Sequence, residues 1–268
     1  MRPPIINVMD KAARRAGRNL VRDFGEVENL QVSRKGAADF VSAADLRAEK
    51  KLHEELMHAR PDFGFLGEEG GLTAKGNGVD RWIVDPLDGT TNFLHGIPHF
   101  AISIAQERNG EIVAGIVYEP LSDNLYWAER NAGAWHNDRR LRVSARSRMT
   151  EAVIATGIPF HGVGDHPRYL ATLTAMMPEV AGIRRFGAAS LDLAWVAAGR
   201  YEGFWEYGLK PWDIAAGIIL VREAGGFVSD FRGADALLKT GDVVAGNDAL
   251  HRDLLKALRA ADPGPSET

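Results

Sequence analysis

The stretch Trp82-Ile83-Val84-Asp85-Pro86-Leu87-Asp88-Gly89-Thr90-Thr91-Asn92-Phe93 runs from apolar residues into two acids three positions apart, and then into Gly-Thr-Thr. The apolar run predicts a buried strand. It ends in one carboxylate, turns on a proline and presents a second. Two carboxylates crowded into one tight turn repel each other unless a cation sits between them. A glycine followed by hydroxyl residues at a helix start leaves bare backbone N–H groups, which suit an anion. Asp-Gly is also a common turn pair, and Thr-Thr a simple helix cap. Metal-assisted chemistry on a phosphate therefore needs support from further acidic residues, each beside a glycine or a helix start.

Outside this stretch the composition is that of a globular chain. Its 268 residues can hold one large domain or two modest ones. A hydrophobic content of 45% and a charged content of 25% are ordinary for such chains. The formal charge of −4 provides no basic field for nucleic acid or an anionic membrane, so positive charge for a phosphate substrate must be local. The absence of cysteine removes disulfides, thiolate nucleophiles and cysteine-ligated zinc. It also fits a reducing cytoplasm. No signal-peptide pattern or 18-residue apolar run is present, and cytoplasm is the expected location.

Apolar positions at Val8, Met9, Ala12, Ala16 and Leu20 predict an amphipathic helix from about Pro4 to Phe24. Ser42 with Asp45 reads as a capping box opening a second helix, with Leu46, Leu52 and Leu56 towards the core. Phe63 to Gly67 predicts a short strand delivering Glu68-Glu69-Gly70-Gly71, and Leu72 to Asp80 a mobile loop. Residues 99–106 and 112–118 predict strands joined at Asn109-Gly110, extended by strands around Leu125–Ala128 and Ala134–His136. A change of character over Val143 to Thr150 places a domain junction, giving halves of 1–146 and 147–268.

The second half alternates strand and helix. Strands are expected at Val153–Ala155, Ile183–Phe186, Phe204–Tyr207 and Val243–Ala245. Helices are expected at Tyr169–Met177, Ala189–Ala198, Trp212–Ala224 and Ala249–Leu258, with a disordered-looking tail from Pro263.

Four segments place carboxylates at element boundaries: Asp39-Phe40-Val41-Ser42-Ala43-Ala44-Asp45, Gly67-Glu68-Glu69-Gly70, the Asp85/Asp88 pair, and Pro211-Trp212-Asp213-Ile214-Ala215-Ala216-Gly217. In order and spacing these resemble the inositol monophosphatase family over about residues 5 to 260. Gly208 to Asp213 and Arg184 to Gly187 look most like its bacterial members.

The resemblance implies an α/β (α+β) fold, a layered αβαβα sandwich with a metal site in the cleft between its halves. It implies a magnesium-dependent phosphomonoesterase that hydrolyses myo-inositol monophosphate, and related sugar or polyol phosphates, by in-line attack of metal-activated water. Two or three Mg2+ ions would be held by Glu68, Asp85, the Leu87 carbonyl, Asp88 and Asp213. Thr90, oriented by Asp45, would position and deprotonate the water, with Glu68 beside it. Gly89 and Thr90 would hold phosphate oxygens, while Asp88, Glu206 and the backbone near Ala189 would bind the polyol. Lys35 matches a family lysine near the active-site loop. Lithium sensitivity and a homodimer follow from the same resemblance.

Other readings compete at several positions. Glu68 and Glu69 can be solvated loop charges, Asp45 a capping residue, Glu206 an edge carboxylate and Lys35 a surface lysine. The scattered histidines read as structural or solvated, and Arg14-Arg15 and Arg139-Arg140 as exposed faces. A haloacid-dehalogenase-like chemistry needs Asp-x-Asp, whereas the spacing here is Asp-x-x-Asp. Relatives on the same metal core act on fructose 1,6-bisphosphate, histidinol phosphate or 3′-phosphoadenosine nucleotides. A bisphosphate would need extra cations, for which Arg184, Arg185, Arg200 and Lys210 are candidates. Some bacterial relatives also serve the RNA-processing and transcription machinery, an added role that intact metal ligands do not exclude.

Overall fold

The computed structural model describes residues 2–30, 37–159 and 164–264. Two long helices, α1 (Pro4–Leu30) and α2 (Ala37–Ala59), come first. There follow β1 (Gly64–Gly67), β2 (Gly71–Ala74), β3 (Asp80–Asp88), the short helix α3 (Thr90–Leu94) and a meander of β4 (Ala101–Arg108), β5 (Glu111–Glu119), β6 (Asn124–Glu129), β7 (Gly133–His136) and β8 (Arg139–Arg140). These strands form one sheet in the order β2-β1-β3-β4-β5-β6-β7-β8, antiparallel except where β1 runs parallel to β3.

After an irregular stretch come β9 (Val153–Thr156), α4 (His166–Met176), β10 (Gly182–Arg184), α5 (Ala189–Ala197), β11 (Gly203–Glu206), α6 (Pro211–Glu223), β12 (Phe227–Ser229), α7 (Leu237–Thr240), β13 (Val243–Gly246) and α8 (Asp248–Ala261). The second sheet has the order β10-β9-β11-β13-β12.

Side-chain alternation explains how the layers stack. In β3 and its neighbours, Ile83, Ala101, Ala105, Val117 and Tyr126 face one core, while Trp82, Val84, Ile102, Ile104 and Leu125 face another. In the second sheet Phe204, Val243 and Ala245 turn inward, and Ile154, Trp205 and Val244 outward. The inner core lies on α5 and α6. Their residues Leu191–Ala194 and Ile214–Val221 are buried on all sides, as a helix between two sheets requires. Helices α1 and α2 cover the outer face of the first sheet, and α8 with α4 that of the second. The result is the expected αβαβα layering.

Local expectations fail in instructive places. Helix α2 begins at Ala37, so Asp45 lies in its third turn and is not part of an N-terminal box. Ala44, Ala48, Leu52 and Leu56 form its buried stripe, whereas Leu46 is 52% exposed. Leu46 sits about 100° around the helix from Asp45, off that stripe. The supposed loop after Gly71 begins as β2, paired with β1. Asp85 to Asp88 is no tight turn. β3 continues through it as a bulge, with Asp85 opposite Ser103 and Asp88 opposite Ala101. Arg14 and Arg15 are half-buried and form ion pairs, Arg14 with Asp10 and Asp123, Arg15 with Glu55. Lys35 lies outside the described residues.

Removing side-chain volume from the central layer should therefore cost far more than removing it from the surface of α2. Leu220→Ala should lower unfolding free energy by about 2–5 kcal/mol. Leu46→Ala should change it by less than about 0.5 kcal/mol. Urea midpoints measure both, and equal losses would contradict the layering.

Candidate active site

The bulge in β3 sets the geometry of the acidic pair. Residues three apart in a regular strand face opposite sides of the sheet, and one inserted residue restores them to the same side. Both carboxylates are buried, Asp85 at 1% exposure and Asp88 at 8%. One oxygen of Asp85 accepts the Leu87 N–H at 2.9 Å. The Thr90 hydroxyl donates to the Leu87 carbonyl at 2.9 Å, so its proton points there and not at Asp45.

Gly89 carries the chain into α3 with φ of 93°, a left-handed conformation that favours glycine. An added Cβ would lie 2.9 Å from the His99 carbonyl oxygen. Asn92 fastens the motif across the cleft, its Nδ2 donating to the carbonyls of His99 and Phe186, each at 2.8 Å.

Helices of the middle layer deliver the remaining groups. Asp88 Oδ2 sits at the start of α5, accepting the Ser190 N–H at 2.8 Å and the Ser190 hydroxyl at 2.5 Å. The Asp88 charge is felt at both Asp85 and Glu206. Asp213 lies in the first turn of α6 and accepts the Lys210 N–H at 2.7 Å. Ser103 of β4, opposite Asp85 in the sheet, donates to the Trp212 carbonyl at 3.1 Å and so binds the start of α6 to the neighbour of the acidic strand.

Asp45 arrives from α2. Its ligand atom and those of Glu68 and Glu69 lie within 4.8 Å of one another, a grouping able to hold a metal ion. Asp45 Oδ1 is buried without a hydrogen-bond partner. Buried unpaired oxygen and converging carboxylates are what a hard dication satisfies, so the residues present fit magnesium.

Electrostatics report the same crowding. Burial, reinforced by Glu68, Glu69 and Glu49, pushes the Asp45 carboxyl up to about 8. Burial and the neighbouring acids raise Glu68 to about 7. Burial, with Glu68, Asp88, Asp213 and Asp45 around it, pushes the Asp85 carboxyl well above the usual range. Asp88 rises to about 7 despite its Ser190 bonds, and Asp213 to about 6. Among the described residues none of these carboxylates forms an ion pair.

A cavity of about 200 Å³ opens beside this cluster, lined in part by Gly157, Tyr169, Glu206, Lys210 and Asp213. Glu206 ends β11, an interior strand flanked by β9 and β13, so it is not an edge carboxylate. Burial, with Asp213 and Asp88 nearby, raises it to about 8. A Cβ on Gly157 would overlap its carboxylate, so this glycine makes the space Glu206 occupies. Ala189 is the first residue of α5, next to the Ser190–Asp88 contact.

Of the four candidate cations, Lys210 lines the cavity and Arg185 lies near enough to oppose the rise at Glu206. Arg184 donates to the carbonyl of its neighbour Ile183, and Arg200 lies over the rings of Trp195 and Tyr126.

Sequence reading gave no part to Glu69, Ser190 or Asp192. The first is placed by the β1–β2 turn, and the second by a contact 102 residues distant. Asp192, buried on α5 with an unpartnered Oδ1, is raised by burial, Glu206 and Asp88. Its only signal is a charge inside an apolar helix.

The sequence matches the inositol monophosphatase family over residues 1–262. The chain belongs to that family. It is 57% identical over 262 residues to an inositol-1-monophosphatase of Rhizobium meliloti, covering 98% of each chain. It is 45% identical over 260 residues to a protein of Pseudomonas aeruginosa named Nus factor SuhB, covering 96% of each. The crystal structure of the extragenic suppressor protein suhB from Bartonella henselae superposes with a TM-score of 0.89. That protein is 56% identical, with 96% of this chain and 99% of that one covered.

The carboxyl groups of the metal-free cluster have folded pKa values above their unfolded ones, so the folded chain holds the extra protons. Stability is then greatest near the ordinary carboxylate range and falls as pH rises through these raised values. In a chelator, the melting temperature should fall between about pH 5 and about pH 8, and Asp45→Asn should flatten that fall. A melting temperature that rises across this window would contradict the cluster described here.

Proposed function

We propose that this chain is a magnesium-dependent phosphomonoesterase that hydrolyses myo-inositol monophosphate, and related polyol or sugar phosphates, to the alcohol and phosphate. The observation that carries the reading is the convergence of Asp85, Asp88, Asp213, Glu68 and Asp45 at the cleft without a paired cation. Glu68, Asp85 and the Leu87 carbonyl would hold one ion, and Asp85, Asp88 and Asp213 a second. A third would be held near Glu68, where Asp45 and Glu69 also converge. Bound divalent ions supply a more acidic water and charge neutralisation at the leaving oxygen.

The chain's own residues do the rest. Backbone N–H groups of Gly89 and Thr90 bind phosphate oxygens. Asp45, with its buried unpartnered oxygen, takes up the proton that the attacking water loses. Thr90, its own proton engaged by the Leu87 carbonyl, orients that water through its hydroxyl oxygen. Asp88 and the start of α5 at Ala189 orient the polyol, and Glu206 accepts from its hydroxyls across the cavity. Lithium sensitivity, a homodimer and a cytoplasmic setting belong to this reading and rest on family membership. No helix among the described residues is long and apolar enough to cross a membrane. The boundary between the two halves falls near residues 146 and 147, in the irregular stretch between the sheets.

A second reading adds a Nus-factor role, favoured by the 45% identity to the Pseudomonas aeruginosa protein of that name. An Asp85→Asn variant that loses phosphatase activity but still captures transcription proteins would separate the two.

Phosphate release from a panel of inositol, sugar and aryl phosphates, with and without magnesium, tests the main reading. Above about pH 8, where the Glu206 carboxyl is ionised, hydrogen bonds to this charged acceptor are worth about 1.5–3 kcal/mol, so Glu206→Gln should there cut kcat/KM for inositol phosphate by about ten- to a hundredfold. It should affect an aryl phosphate much less. Asp88→Asn should damage both substrates severely. Equal losses on the two substrates for Glu206→Gln would remove Glu206 from specificity.

A further inference from the structure

Glu49 lies one turn beyond Asp45 on the same face of α2, and its carboxylate is buried at 8% exposure. One of its oxygens accepts the backbone N–H of Glu69 and the other that of Gly70, each at 2.8 Å. The loop closes around this group. A Cβ on Gly67 would lie 2.4 Å from Glu49 Oε2, and one on Gly70 2.9 Å from Oε1. Two convergent N–H groups between glycines form an anion cradle, and in this chain a side chain of the protein itself fills it.

The cost of that choice is a further negative charge in an acidic cluster, felt at both Asp45 and Glu68. Both oxygens of Glu49 are engaged by backbone donors, and it stands outside the metal-capable group of Asp45, Glu68 and Glu69. What the carboxylate achieves is geometric. It fixes the backbone on the C-terminal side of Glu68, so that Glu68 reaches Asp85 while Glu69 turns to Asp45. A carboxylate suits this task because it is acceptor-only. A glutamine would keep one oxygen and set an NH2 group against the second N–H.

We propose that Glu49 is a positioning residue: it clamps the Glu68–Glu69 loop to α2 and thereby presets that loop for divalent cations. The inference rests on the metal-dependent reading above.

Magnesium binding by calorimetry and hydrogen exchange of the metal-free chain test it together, on wild type and Glu49→Gln. The variant should bind magnesium about 10- to 100-fold more weakly, the usual effect of losing a group that orients a ligand. The amides of Glu69 and Gly70 should exchange faster while the rest of α2 stays protected. The magnesium concentration for half-maximal activity should rise by the same factor, with kcat retained at saturation. Should Glu49→Gln fail to fold, Gly70→Ala, which presses a methyl on the same carboxylate from an exposed loop, should show the same three effects.

Unchanged magnesium affinity in a variant with freed loop amides would overturn the proposal. So would weakened affinity accompanied by faster exchange throughout α2, the mark of a general structural role. A wild-type chain that binds no magnesium would overturn the metal-dependent reading itself, and this inference with it.

Discussion

Repulsion among carboxylates is what this scaffold is built to withstand. Asp45, Glu68, Asp85, Asp88 and Asp213 come from α2, the β1–β2 turn, β3 and α6, and they meet where the two sheets face each other. Bringing unpaired acids together in a buried place is unfavourable, so the scaffold must hold them by other means. It does so with hydrogen bonds that leave part of each carboxylate open. Leu87 N–H takes one oxygen of Asp85, Ser190 one of Asp88, and Lys210 N–H one of Asp213. The anchoring donors are mostly backbone N–H groups, two of them at helix starts, where such donors have no partner within the helix.

The middle layer makes that anchoring rigid. Helices α5 and α6 are buried along most of their length and are gripped between two sheets, so their N-termini cannot shift without disturbing the inner core. Ser103 to the Trp212 carbonyl then ties the first sheet to the leading end of α6, and Asn92 to the Phe186 carbonyl ties α3 to the segment that leads into α5. Core packing and site geometry are thus one problem in this fold. The cavity by Glu206 lies on the same seam, beside Asp213 and lined by residues of the second sheet and the loop into α6.

Much of this was legible from residues alone, and the limits have physical causes. β3, the Asn109-Gly110 hairpin and the helices at 189 and 212 carry strong local signals, and all are present. The Ser42–Asp45 box misled because Ser-x-x-Asp looks the same within a helix as at its start. Asp85-Pro86-Leu87-Asp88 read as a turn, since only pairing with β4 reveals a bulge. Strands β2 and β12 are too short for periodicity to show. Ser190 and Glu49 left no trace because their partners lie 102 and 20 residues away, and a lone serine or glutamate on a helix is unremarkable in sequence.

The direct test of the account is the location of the ions. Crystals soaked in manganese, a magnesium substitute with anomalous signal, should show peaks between Asp85, Asp88 and Asp213, and between Glu68, Asp85 and the Leu87 carbonyl. A difference map without peaks at these carboxylates, at a concentration that supports phosphate release, would contradict the account.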